Sequence, residues 1–286
     1  MMIFLLLAII SSTSISLILK YSESKNLNRY AVTSSNYIAA FTASIILTVS
    51  KSEGRIFSGI QDVVGLGIFA GILYFLGFIF IQKSIKENGV GITGAVSKTG
   101  IILPVVLSMI LWREIPGLLQ TAGVIVSISA IIMINIDPKD FRSLKSCSPT
   151  IILLFFIAGI AEFTTKLFER SCLPQNKPLY LFVIFFTAFC ISVYFTYSSW
   201  IKGKKITKTD VMTGLSVGIP NMLASFFLIE SFSHFKASVA FPIYSSGTIL
   251  LINVGGILIF KEKMKRKGII AVALIIMAIV LMNIEF

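Results

Sequence analysis

The chain has 286 residues, of which 56% are hydrophobic and 13% charged, and its mean hydropathy is +0.91. Charged residues make up about 25% of a soluble domain, so this composition excludes that class and indicates membrane spans. The net charge of +12 does not indicate a nucleic-acid partner, because Lys and Arg lie mostly in short segments between apolar runs. The three scattered cysteines, Cys147, Cys172 and Cys190, predict neither a disulfide framework nor a metal site.

Ten apolar runs follow one another along the chain, each close to the ~20 residues that cross a bilayer as a helix. The first run lacks a charged start and a small-residue cleavage site, so it is predicted to be a retained helix rather than a signal peptide. The connectors are too short to hold a soluble domain, and the predicted fold class is an all-α membrane protein. The predicted spans are residues 2–19, 30–49, 63–82, 90–112, 117–136, 150–168, 178–201, 211–232, 237–260 and 268–284.

The second half of the chain is similar to the first at an offset of about 147 residues. "LWREIPGLLQ" aligns with "IFKEKMKRKG", Ser97 with Ser245, and Gly67 with Gly214. Each half contains five spans, and an odd number makes the second half enter the membrane from the opposite side. The sequence therefore predicts two inverted five-helix repeats, residues 1–138 and 149–286, joined by a linker at 139–148.

The segments "LPVVLSMILWREIPGLLQTAGVIVSISAIIMI" and "LLINVGGILIFKEKMKRKGIIAVALIIMAIVLM" carry a family resemblance. They resemble EamA-type members of the drug/metabolite transporter superfamily, in which a basic-Glu step separates the fourth and fifth helices of each half. The resemblance implies secondary transport through a central cavity lined chiefly by spans 1, 3, 4, 6, 8 and 9. Two positions depart from the internal symmetry, because Pro104 aligns with Ile252 and Lys98 with Ser246.

Lys98 is the only formal charge between residues 90 and 112. A lysine at the centre of a span costs roughly +2.5 to +3.5 kcal/mol. It lies about 12 Å from the nearer end of its span, so its side chain reaches the interface only with local thinning of the bilayer. One interpretation is therefore snorkelling. Another is that the boundary of the predicted span is misplaced. The third, which we favour, is that Lys98 faces a cavity and meets anionic groups of a substrate or an internal carboxylate.

Glu162 and Lys166 lie on one face of the sixth span, in the order that favours a helical ion pair. One interpretation is that they form this pair. The other makes Glu162 a coupling group, since burial raises a carboxyl pKa and allows proton exchange. Span 1 offers Ser16 where the small multidrug resistance transporters carry a carboxylate in each copy. Glu114 and Glu230 are interpreted as helix-end residues near the lipid head groups.

A set of polar residues is predicted to contact the substrate together with Lys98. Tyr74 and Asn221 extend two glycine stripes that allow close helix packing, so both are expected near one seam. Ser97 and Ser245 are equivalent in the repeat and are expected on opposite cavity walls. The predicted substrate-binding residues are Lys98, Ser97, Tyr74, Asn221, Tyr244, Ser245 and Asn253, with Glu162 as the coupling candidate and Lys166 as its ion-pair partner.

Motifs of other protein classes are missing from the sequence. It contains no HExxH, no P-loop and no nucleophile elbow, so we expect no catalytic residue, no cofactor and no metal. The expected partners are a small-molecule substrate and membrane lipid, without nucleic acid, and the chain is expected to be a monomer or a homodimer.

The positive charges are distributed unevenly between the two sides of the predicted bundle. Connectors after odd-numbered spans hold 17 Lys and Arg, against six after even-numbered spans, which predicts the former in the cytoplasm and both termini outside. The family resemblance implies the opposite orientation, and both stay open. The predicted location is the plasma membrane, with multiple passes.

The leading functional hypothesis is a secondary transporter of a small organic solute, an amino acid or related metabolite, with export included. The first alternative is a proton-coupled exporter of cationic drugs, which requires Glu162 in the cavity and Lys98 paired elsewhere. An alternative of another class is a polytopic membrane enzyme or lipid-handling protein. The substrate, the direction and the coupling ion are not determined by the sequence.

Overall fold

The computed structural model of the chain describes residues 2–51, 59–135, 149–261 and 266–284, with the backbone alone at some helical positions. Within these ranges all regular structure is helical, as predicted, and a short 3₁₀ turn at Pro174–Asn176 precedes α7. The ten α-helices of the described residues are α1 (Met2–Ser24), α2 (Arg29–Lys51), α3 (Ile60–Thr99), α4 (Ile102–Trp112), α5 (Leu118–Asn135), α6 (Pro149–Ser171), α7 (Lys177–Ile201), α8 (Lys208–Ser231), α9 (Ala237–Phe260) and α10 (Arg266–Asn283).

Seven helices in the described part of the chain are long and apolar enough to cross a membrane. Three further apolar helices are shorter, at Ile102–Trp112, Leu118–Met133 and Gly268–Asn283. The molecule is therefore an integral membrane protein, as its hydropathy predicted. The count of ten transmembrane spans stays a prediction.

Helix α3 corresponds to two predicted spans, 63–82 and 90–112, and the predicted connector between them has helical backbone. The hydroxyl oxygens of Ser84 and Thr93 nevertheless lie 2.8 Å apart. A straight α-helix would separate residues nine positions apart by about 13 Å along its axis. The helix must therefore bend back on itself between Ser84 and Thr93, where the sequence predicted a connector.

The predicted span 90–112 is interrupted at Gly100 and Ile101, which divide α3 from α4. Pro104 explains the break, because proline has no N–H to donate to the carbonyl of Gly100. That carbonyl instead accepts from the N–H of Leu103 at 3.0 Å, a shorter 3₁₀-type connection. The predicted span 90–112 therefore contains a break in its helix close to Pro104.

The chain divides into two compact units that do not follow the two halves of the sequence. Unit I contains residues 2–75 and 167–230, and unit II contains residues 76–166 and 231–286. Each unit therefore combines segments from both predicted repeats.

In unit I, α2 packs against α7 with the two helices antiparallel. The hydroxyl of Thr196 donates to the carbonyl of Tyr30 at 3.0 Å, near the start of α2. Further along α2, the ring of Phe41 packs on Phe182, near the start of α7, with ring centroids 6.3 Å apart. Contacts that advance along α2 therefore retreat along α7.

In unit II, α5 packs against α10, again antiparallel. A Cβ atom added at Gly123 would lie 2.7 Å from Met282 Cγ, so the two backbones approach closely near the end of α10. Ile131, later in α5, shares a buried cluster with Ile275, earlier in α10. The second helices of the two predicted repeats, α2 and α7, thus run in opposite directions. The same holds for the fifth helices, α5 and α10.

Candidate functional site

A group of polar side chains from three helices lies inside the apolar bundle of unit I. The side-chain amide of Asn221 on α8 donates to Asn36 Oδ1 on α2 at 3.1 Å. One turn later on α8, Ser225 Oγ lies 3.4 Å from the hydroxyl of Tyr74 on α3. The hydroxyl of Tyr37 donates to the backbone carbonyl of Tyr74 at 3.5 Å. We call Asn36, Tyr37, Tyr74, Asn221 and Ser225 the polar seam.

The glycine stripes bring α3 close to α7 and α8 close to α2. On α3, a Cβ atom at Gly71 would lie 2.6 Å from the carbonyl oxygen of Ile184 on α7. On α8, Gly214 and Gly218 approach the backbone of α2, and the nearest atom to Gly218 is the carbonyl oxygen of Asn36. The predicted role of these glycines in close packing is confirmed, and the same contacts set the distance across which Asn221 reaches Asn36.

The polar seam offers amide and hydroxyl groups without a formal charge. Asn221 and Tyr74 are half-buried, whereas Asn36 and Ser225 are buried. Groups of this kind fix the orientation of a solute by hydrogen bonds, while the surrounding apolar surface excludes water. Pro220 also removes one intrahelical hydrogen bond immediately before Asn221, which frees a backbone carbonyl on α8.

A second polar group, in unit II, is built on charge. The ammonium of Lys166 on α6 lies 2.9 Å from Glu114 Oε1, and the two side chains are only 1% and 6% exposed. Glu114 Oε2 accepts the backbone N–H of Ala237 at 2.6 Å, and the Glu114 carbonyl accepts the hydroxyl of Ser238 at 2.8 Å. We call Glu114, Lys166, Ala237 and Ser238 the Glu114 cluster.

The Glu114 cluster depends on two helix termini. Arg113, which ends α4, has the left-handed φ of 52°, and this turn sets the direction in which Glu114 leaves the helix. Ala237 is the first residue of α9, so the carboxylate lies at the positive end of that helix. The rings of Trp112 and Phe232 also lie beside Lys166, with their centres 5.9 and 5.2 Å from its ammonium.

The Glu114 cluster was not predicted from the sequence. The helical spacing indicated a pair between Lys166 and Glu162, and Glu114 was expected at a helix end near the head groups. A lysine inside an apolar run indicates that a partner for its charge is needed. That partner, Glu114, lies in the connection between α4 and α5, far from Lys166 in the sequence. Glu162 is half-buried on α6, and its predicted roles stay predictions.

Two of the predicted substrate contacts, Tyr74 and Asn221, come together in unit I. The others belong to unit II. Ser245 is buried on α9, Tyr244 and Ser97 are half-buried, and the amide of Asn253 donates to the Ile249 carbonyl of its own helix at 2.8 Å. Ser246, the counterpart of Lys98, lies 2.5 Å from the hydroxyl of Ser127 on α5.

Lys98 lies in the last turn of α3, and its side chain falls outside the described residues. The neighbouring backbone is informative, because a Cβ atom at Gly159 on α6 would lie 2.5 Å from the carbonyl oxygen of Gly100. Lys98 precedes Gly100 by two residues, and Glu162 follows Gly159 by three. The two predicted charged residues therefore belong to helix segments that touch.

These features define a polytopic helical membrane protein with polar groups held between apolar helices. Residues 1–136 match the sequence model of the EamA-like transporter family. This likeness covers residues 1–136 and supports the family that the basic-Glu steps predicted.

Two similar proteins extend the comparison over nearly the whole chain. An uncharacterized protein of Haemophilus influenzae (strain ATCC 51907 / DSM 11121 / KW20 / Rd) is 24% identical over 269 residues, which are 92% of this chain and 91% of that protein. A solved crystal structure matches with a TM-score of 0.71 at 13% identity, covering 99% of each chain. That likeness shows a shared fold.

Proposed function

We propose that the protein is a secondary transporter of a small organic solute, an amino acid or related metabolite, working by alternating access in the plasma membrane. The observation that carries the proposal is the polar seam, where Asn221 and Tyr74 present hydrogen-bonding groups inside a bundle of apolar helices. Polar and ionisable side chains inside a membrane bundle are rare and commonly mark substrate or ion pathways. The EamA-like family description, that of transporters, supports the same class.

Alternating access in this proposal uses the inverted duplication of the chain. Repeats that enter the membrane from opposite sides place their counterpart helices antiparallel. The antiparallel packing of α2 on α7 and of α5 on α10 supports this arrangement. Rocking one repeat against the other would expose the solute to each side in turn, with export as one direction.

The proposed substrate carries a carboxylate or another anionic group, which Lys98 would bind. An ammonium within a span needs such a partner. The close approach at Gly100 and Gly159 also brings the Glu162 segment near, so Glu162 is the proposed internal counter-ion when the solute is absent.

Counterflow in proteoliposomes tests the role of the polar seam. Purified protein is loaded with unlabelled amino acids and organic acids, and uptake of the labelled solute is followed with and without a proton gradient. For a transported solute, Asn221→Ala is expected to lower the initial rate at least about fivefold, the effect of about 1 kcal/mol for one lost hydrogen bond.

Asn283→Ala is the matched control, because that amide bonds to its own helix, at the Ile279 carbonyl on α10. Its transport rate should stay close to that of the unaltered protein. Equal rates in the Asn221 and Asn283 variants would remove the polar seam from the solute path. Turnover of a solute without any sealed compartment would favour a membrane enzyme.

The half-buried Glu162 favours one second candidate, a proton-coupled exporter of cationic compounds. The two candidate functions differ in the charged residue on which transport depends, Lys98 in the first and Glu162 in the second. Lys98→Met should abolish uptake of an anionic solute under the first proposal and leave export of cations intact under the second. Glu162→Gln should remove the dependence on the proton gradient under the second.

A further inference from the structure

Two connectors of unit I are joined at one end of its helices. The backbone N–H of Asn28, between α1 and α2, donates to Asp210 Oδ1 at 2.9 Å. The side-chain amide of Asn28 donates to the carbonyl of Lys205, between α7 and α8, at 3.3 Å. Both connectors follow odd-numbered predicted spans, so a single surface is formed from segments distant in the sequence.

This joined surface is strongly basic. Its five exposed lysines, which we call the basic edge, are Lys25, Lys202, Lys204, Lys205 and Lys208. Arg29 is balanced by Glu23, at 3.2 Å.

Asp210 is also part of the surface, but it is turned inward. It is 2% exposed, and its second carboxylate oxygen accepts the N–H of Thr207 at 2.7 Å. The Asp210 amide in turn donates to the Thr207 hydroxyl at 3.2 Å, which completes a capping box for α8. Asp210 thus shapes the connector, while the lysines face outward.

Aromatic residues locate the basic edge relative to the membrane. Tyr194, Tyr197 and Trp200, on the last turns of α7, are 68%, 57% and 56% exposed. The rings of Tyr197 and Trp200 contact each other, with centroids 5.9 Å apart. Exposed Tyr and Trp near a span end lie at the lipid–water interface, so the lysines that follow Trp200 lie at the level of the head groups.

We propose that the basic edge binds the head groups of anionic phospholipids. An anionic membrane surface attracts lysines that lie near it, whereas a zwitterionic head group offers no net charge to match. The ammonium group of Lys204 is held near α2 by a cation–π contact, with Nζ 5.8 Å from the centre of the Tyr30 ring. The basic edge contains no residue of the polar seam.

Trp200 serves as a built-in reporter for the bound lipid. The chain contains two tryptophans, so Trp112→Phe leaves Trp200 as the sole tryptophan. This variant is reconstituted in bilayers that contain either phosphatidylglycerol or phosphatidylcholine with brominated acyl chains, at equal mole fraction, and quenching of its fluorescence is measured. Phosphatidylglycerol is expected to associate at least about fivefold more strongly, the preference equivalent to about 1 kcal/mol.

Replacing Lys202, Lys204, Lys205 and Lys208 by Gln should bring the two lipids to equal quenching. Lys83→Gln with Lys261→Gln is the control, since both lysines are exposed and lie outside the basic edge. High salt should abolish the preference in the Trp112→Phe protein, which provides a test that does not depend on folding of the quadruple variant. Equal quenching by the two lipids before any lysine is replaced would overturn the proposal. An equal loss in the control pair, or a preference that resists salt, would also overturn it.

Discussion

A carboxylate and an ammonium that leave water together need more than mutual attraction. In the Glu114 cluster, further stabilisation comes from the Ala237 amide, which donates to the carboxylate, and from the aromatic rings beside Lys166. Each charge is costly to bury, and the pair is stabilising only when its other polar contacts are made. A protein that keeps only one of the two residues should therefore be less stable than one that keeps both or one in which both are replaced.

Glu114→Gln is expected to lower the free energy of unfolding by about 3–5 kcal/mol, because it removes the carboxylate charge that lies 2.9 Å from the buried Lys166 ammonium. Glu114→Gln combined with Lys166→Met should cost less than the sum of the two single changes. Denaturation in detergent micelles measures these differences.

Glu23→Gln is the control for the Glu114 variant. It removes an ion pair with Arg29 whose side chains are 43% and 49% exposed, so its effect should stay within about 1 kcal/mol. A Glu114→Gln protein no less stable than Glu23→Gln would contradict the structural role of the cluster.

At the scale of single residues, the sequence predicted the neighbours in the polar seam better than those in the Glu114 cluster. Tyr74 and Asn221 continue glycine stripes at helical spacing, which places them on the packing face, and the structure brings both into the polar seam. Glu114 and Lys166 have no such periodic relation. Their contact depends on how α6 lies against the turn after α4, which a single sequence does not encode locally.

At the scale of the helix, glycine and proline have separate effects. Gly67 and Gly71 allow α3 to approach α7, and Gly214 and Gly218 allow α8 to approach α2. Pro104 breaks a predicted span, whereas α8 and α9 continue through Pro220 and Pro242. Proline position alone therefore did not predict where a helix would be interrupted.

Gly71→Ala is expected to destabilise the protein by about 1–3 kcal/mol, because the added methyl group meets the backbone carbonyl of Ile184. Gly65→Ala, on the same helix, meets no atom within 4 Å and should be neutral or stabilising by up to about 1 kcal/mol. Thermal unfolding of the two purified variants compares them directly. Equal effects at the two positions would show that α3 is not closely packed at Gly71.

At the scale of the molecule, the structure joins connectors of the same parity. Asn28 and Asp210 join the connectors after spans 1 and 7, while Lys236 donates to the Ile115 carbonyl at 3.0 Å and joins those after spans 8 and 4. A chain that crosses a membrane at every predicted span places odd and even connectors on opposite sides. Only connectors of the same parity can then touch, as these two pairs do.

The uneven distribution of Lys and Arg predicts which side is which. Cys172 follows span 6 and should react with an impermeant maleimide on intact cells. Burial, and to a smaller extent Asp62, raise the pKa of the Cys172 thiol, so labelling should need alkaline pH. Ser24→Cys in a chain without other cysteines should react only after permeabilisation. The reverse pattern would place both termini in the cytoplasm.

The sequence by itself determined that the chain is a helical membrane protein, where most helices lie, and to which transporter family it is similar. These properties follow from hydropathy and motifs, which are read within a window of about 20 residues. Only the tertiary structure decided that Lys166 pairs with Glu114, that Asn221 meets Asn36, and that two distant connectors form one basic edge. Such contacts depend on the packing of helices that are remote in sequence, and packing is a property of the assembled bundle.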